Sequence, residues 1–63
     1  MNDRQMKYIM STFPTGTRFL RAYKALEGDI RVIVRLAGEQ YETRYTVYDW
    51  DYENDLPLIK LMP

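Results

Sequence analysis

Ile30-Arg31-Val32-Ile33-Val34-Arg35-Leu36-Ala37-Gly38-Glu39-Gln40-Tyr41-Glu42-Thr43-Arg44-Tyr45-Thr46-Val47 is the stretch whose reading fixes the fold. Both of its ends are rich in β-branched or aromatic residues, which suit a pleated, half-buried surface, and Gly38-Glu39 lies midway as a two-residue type II′ turn. That turn sets Leu36 opposite Tyr41, Val34 opposite Thr43, Val32 opposite Tyr45 and Ile30 opposite Val47. The strongly apolar pairs then share one face, and a slip of one residue would turn them to solvent. The other face carries Arg31, Ile33 and Arg35 against Thr46, Arg44 and Glu42, with Arg35 directly opposite Glu42. The stretch predicts an antiparallel hairpin of 30–36 with 41–47, apolar on one side and basic on the other. Val32→Asp should therefore unfold the domain, whereas Arg31→Asp should be tolerated.

Upstream, Met6, Ile9, Met10 and Phe13 fall at i, i+3, i+4 and i+7, the spacing of one face of an amphipathic helix over 2–13. Asn2 suits the N-cap, Gln5 completes a capping box, and Pro14 cannot continue the helix. Pro14-Thr15-Gly16-Thr17 has turn composition. Residues 18–27 admit two readings. Phe19, Leu20, Tyr23 and Leu26 fit a helical stripe with Arg18, Arg21 and Lys24 opposite, capped by Thr17 and ended by Gly28. A strand followed by a turn at Glu27-Gly28-Asp29 competes, but alternation over 17–26 is poor and a second helix is preferred.

Downstream of Val47 the phase changes, since a straight strand would send Tyr48 and Trp50 to the polar face and Asp49 to the core. A β-bulge near Tyr48, or a strand end there, repairs this. Leu56–Met62 reads as a short strand or extended segment, with Pro57 at an edge or a strand start. The expected fold class is α+β: one or two N-terminal helices on a small antiparallel sheet, a meander of about three strands. Its core would be Met6, Ile9, Met10, Phe13, Leu20, Tyr23, Ile30, Val32, Val34, Tyr45 and Val47.

A chain of 63 residues has room for one core, hence a single domain over 1–63. It holds no Cys and no His, which excludes disulfides, thiolate metal sites, thiol nucleophiles and imidazole bases. Its one serine, Ser11, stands a helical turn from Lys7 on no catalytic scaffold. No enzymatic activity, cofactor or metal is expected. No segment approaches the roughly 18 consecutive apolar residues of a membrane span, and no signal-peptide pattern opens the chain, so a cytoplasmic protein without a membrane partner is expected. Brevity, missing catalytic side chains and dense aromatic and charged residues are together the type of a small accessory protein of a phage or mobile element.

Formal charge is zero, yet residues 1–35 hold seven Lys/Arg against three Asp/Glu and residues 36–63 two against six, or about +4 and −4. Two candidate sites follow. The first is the run Tyr48-Asp49-Trp50-Asp51-Tyr52-Glu53-Asn54-Asp55, in which carboxylates alternate with aromatic residues. Extended, its carboxylates would repeat at about 6.6 Å, close to two axial phosphate steps of one DNA strand. Its start echoes a calcium loop, but Asn54 stands where that loop needs Gly and Lys60 where it needs Glu. The plain alternative is a solvated edge that discourages strand addition. The leading functional expectation is a regulatory or adaptor module, in which Tyr48, Trp50 and Tyr52 anchor a protein partner while Asp49, Asp51, Glu53 and Asp55 steer it.

The second candidate is basic. Arg31, Arg35 and Arg44 share the outer sheet face near Tyr48 or Trp50, the combination of sheet-based single-strand binders. A helical 18–27 would add Arg18, Arg21 and Lys24 as a face able to enter a major groove with the hairpin as a wing. Nucleic-acid binding is thus the alternative, set against a pI of 6.1 that is unlike most such modules. A homodimer is a further expectation, because a small sheet with an open edge is often completed by its own copy.

Overall fold

The computed structural model describes all 63 residues: helix α1 over Asp3–Ser11, then strands β1 (Arg18–Lys24), β2 (Ile30–Arg35), β3 (Thr43–Asp51) and β4 (Leu56–Leu61). The strands form one antiparallel meander in the order β1-β2-β3-β4, so β1 and β4 are its edges. The class is α+β as expected, with one helix and four strands. No helix is long and apolar enough to cross a membrane.

Helix α1 begins where its capping box places it. The Asn2 side chain accepts from the Gln5 N–H and the Gln5 side chain accepts from the Asn2 N–H, both at 2.9 Å. At the far end Thr12 donates its N–H and its hydroxyl to the Ile9 carbonyl. The apolar stripe lies on the sheet: Ile9 is fully buried with Val32 and Val34, and Met6, Met10, Phe13, Leu36, Tyr45 and Ile59 pack around them. Phe13 meets Tyr45 edge-on at 4.9 Å.

The β2–β3 register is the one the alternation dictates, with Arg31 opposite Thr46, Val32 opposite Tyr45, Ile33 opposite Arg44 and Val34 opposite Thr43. The expected bulge is also present. Val47 faces Ile59 but Asp49 faces Leu58, so one extra residue at Tyr48 brings Trp50 opposite Pro57 on the helix side.

Three expectations need correction. Residues 18–24 are strand β1, not a second helix, so the winged groove-binding arrangement does not exist. The alternation looked poor because β1 carries a bulge of its own. Phe19 pairs with Val34 and Arg21 with Ile33, which leaves Leu20 as the extra residue. With Leu20 set aside, Phe19, Ala22 and Lys24 fall on the helix side and Arg18, Arg21 and Tyr23 on the other. Tyr23 is accordingly exposed and Leu20 only half-buried, so neither is core.

The β2–β3 connection is also wider than a two-residue turn. The turn is Leu36–Glu39, closed by the Glu39 N–H to the Leu36 carbonyl, with Gly38 at φ +80°. The ladder stops at Val34–Thr43, so Leu36 and Tyr41 do not pair and Tyr41 is 77% exposed. Finally, Ile33 lies on the outer face yet is 1% exposed. Its same-face neighbours are Arg21 and Arg44 across and Arg31 and Arg35 along the strand, so the groups placed to cover it are arginine methylenes.

Candidate functional site

Pairing in an antiparallel ladder points opposed side chains to the same side, so the register assigns the outer face residue by residue. One row runs Tyr23, Arg31, Thr46, Lys60; the next runs Arg21, Ile33, Arg44; beyond them Arg18 stands opposite Arg35. Six of the nine basic residues of the chain therefore share one sheet face. Glu42 pairs with Arg21 at 3.2 Å and Glu27 with Arg31 at 2.8 Å. The expected Arg35–Glu42 pair is not made, because Glu42 lies beyond the end of the ladder and reaches Arg21 instead. Arg18, Arg35 and Arg44 form no ion pair, and the Lys60 ammonium sits 5.3 Å from the Tyr48 ring centroid.

Arg18 and Arg35 are like charges directly opposite one another, an arrangement that destabilises a sheet unless an anion lies between them. Arg31 is less free. Its side chain is 16% exposed and its Nε is buried without a hydrogen-bond partner. Tyr23 and Tyr48 are both exposed, Tyr23 on this face and Tyr48 beside Lys60.

The acidic run is built differently from an extended array. Residues 52–55 are the β3–β4 turn, and Asp55 takes the left-handed conformation at φ 55°, which Asp tolerates better than most residues. Asp51 organises this turn. Its carboxylate accepts from the Asn54 side chain at 2.9 Å and from the Asn54 and Glu53 N–H groups at 3.1 Å. Those bonds, the Asn54 side chain first, hold its pKa below the ordinary carboxylate value.

Asp55 accepts from the Trp50 indole N–H at 2.9 Å and pairs with Arg4 at 3.5 Å, while Asp49 accepts from the Trp50 N–H. Arg4 and Gln5 also donate to the carbonyls of the turn, which docks α1 on the hairpin. The phosphate-like spacing is not realised, and no three carboxylates converge as metal ligands do. Tyr52, 85% exposed, and Glu53, whose carboxylate is unpartnered, form the tip.

Five of the six basic candidates, Arg18, Arg21, Arg31, Arg35 and Arg44, come together, while Lys24 lies opposite Ile30 on the helix side. Tyr48, Asp49, Trp50, Asp51, Tyr52, Glu53 and Asp55 stay contiguous around one hairpin. Sequence reasoning missed Lys60 and Tyr23 on the outer face and Asp29 beside the hairpin. Lys60 and Tyr23 each lie beyond a bulge, so only counting the extra residue would have phased them. No known family model, no curated protein and no solved structure matches this chain.

Proposed function

We propose that the protein is a non-catalytic, cytoplasmic nucleic-acid-binding module that takes a single strand across the outer face of its sheet. The observation that carries this reading is the Arg18–Arg35 opposition, extended by Arg44 and Lys60 and left without carboxylate partners. Phosphates relieve that repulsion and gain charge-assisted hydrogen bonds from the guanidinium groups. The Arg21–Glu42 and Arg31–Glu27 pairs do not block it, since surface ion pairs contribute about 0–1 kcal/mol and can yield to a phosphate. Tyr23 and Tyr48 offer rings on which bases stack. Zero net charge is compatible with this, because Asp49 and Asp51, which the register places on the same outer face opposite Leu58 and Leu56, stand at the β3–β4 turn end of the sheet, away from the Arg18–Arg35 end.

The test is fluorescence anisotropy of labelled single-stranded and duplex oligonucleotides. Single-strand binding at low salt is expected, with at least a tenfold loss for Arg18→Gln/Arg35→Gln/Arg44→Gln and no change for Glu53→Gln. Absence of binding at about 50 mM salt, where phosphate contacts are strong, would sink the reading.

A further inference from the structure

Strand β3 outruns β2. Their ladder ends at Arg31–Thr46, so residues 47–51 pair only with β4 and their other edge is open. Between that edge and the β1–β2 turn lies a groove of about 300 Å³, at the small end of ligand sites, with Tyr48, Trp50, Tyr52, Asp29, Asp49 and Ile30 in its lining. No basic residue lines it.

We propose that this groove takes an arginine side chain of a partner protein. A guanidinium is planar and weakly hydrated, stacks on aromatic rings and pairs with carboxylates, and the lining offers three rings and two carboxylates. Asp29 makes no ion pair or side-chain hydrogen bond, and Asp49 spends one oxygen on the Trp50 N–H, so both remain able to accept. Ile30 and Val47 supply apolar surface for the arginine methylenes. Trp50 is held in advance, since its indole N–H is fixed to Asp55, itself paired with Arg4. The Lys60 ammonium, 5.3 Å from the Tyr48 ring centroid, meets that ring from outside the groove lining.

Trp50 is the only tryptophan and reports on the groove directly. The experiment titrates the labelled protein with end-blocked Gly-Arg-Gly, following the Trp50 indole N–H and the amides of residues 28–30 and 47–52 by NMR. The citrulline and lysine counterparts are run beside it. Saturable shifts confined to those signals are expected with arginine, at least tenfold weaker affinity with citrulline and clearly weaker affinity with lysine. Asp29→Asn/Asp49→Asn should abolish the shifts while leaving the rest of the spectrum in place.

Equal affinity for citrulline or lysine overturns the assignment, as do shifts spread over the chain. The same shifts appearing on raising protein concentration alone would mean that an arginine of a second copy fills the groove, and would overturn the partner assignment. The Arg18→Gln/Arg35→Gln/Arg44→Gln variant should bind the arginine peptide normally, so failure of this proposal and failure of the nucleic-acid reading are separable.

Discussion

Gln5 joins two distant parts of the chain with one side chain. Its Oε1 completes the capping box of α1, while its Nε2 donates to the carbonyl of Asp55, 50 residues away, and the residue is 6% exposed. Gln5→Ala removes both bonds, leaving the Asn2 N–H uncapped and the Asp55 carbonyl held by Arg4 alone. A loss of about 1–2 kcal/mol is expected, read as a lower urea midpoint with unchanged slope. Glu at this position would keep the cap but cannot donate to Asp55, so Gln5→Glu should recover only part. Asp51 acts locally instead, holding the β3–β4 turn through Glu53 and Asn54. Its folded pKa is depressed, so its contribution is complete above the ordinary carboxylate pKa and is lost as the pH falls through the lower folded value, below about pH 4. Asp51→Asn should flatten the acid limb of a stability-against-pH curve; an unchanged limb would show that the turn does not depend on that charge. The capping half of the Gln5 role was legible in Asn2 and Gln5 three residues apart. The bond to Asp55 was not, because no local pattern reports a contact between the two ends of a chain.

At the scale of elements, the hairpin and the helix were legible because alternation and helical spacing are uninterrupted there. β1 was not, because the extra residue at Leu20 breaks a period of two into something that resembles a helical stripe. The bulge at Tyr48 could be anticipated only because a known register preceded it. The basic face inherits both lessons: Arg31, Arg35 and Arg44 were placed by the hairpin, whereas Arg18, Arg21 and Lys60 needed the bulged ladders. Burial then departs from alternation at Ile33, which has no helix above it. Ile33→Ala should cost about 2–4 kcal/mol, as an interior truncation does, although the residue sits on the nominally polar side. A domain of this size holds roughly 3–5 kcal/mol, so Val32→Asp, with an unpaired charge beside Ile9, should leave no folded fraction by circular dichroism. Arg31→Asp is not the harmless change the alternation implies. It replaces a largely buried stem and sets a carboxylate beside Glu27, so its urea midpoint should fall as well.

For the molecule as a whole, salt should act in opposite directions on the two associations open to this sheet. Pairing two β1 edges about a two-fold axis at Arg21 is the most direct route to a homodimer, but it opposes Arg21 to Arg21 and Arg18 to Lys24. Screening weakens that repulsion, so sedimentation should show a monomer at low salt and growing self-association as salt rises. Nucleic-acid binding must do the reverse. Arg18, Arg35, Arg44 and Lys60 are free of carboxylates, and Arg21 and Arg31 can join them by releasing Glu42 and Glu27. Four to six phosphate contacts on a single strand give a slope of log K against log salt of about −3 to −4. Between about 50 and 200 mM salt the affinity should therefore fall roughly 50- to 300-fold. Each single Arg→Gln replacement at Arg18, Arg35 or Arg44 should lower the slope by about 0.7, whatever the oligonucleotide sequence. A slope near zero, or one that the three replacements leave unchanged, would mean that the ligand meets some other surface, because released counterions are the unavoidable signature of phosphates held by these side chains.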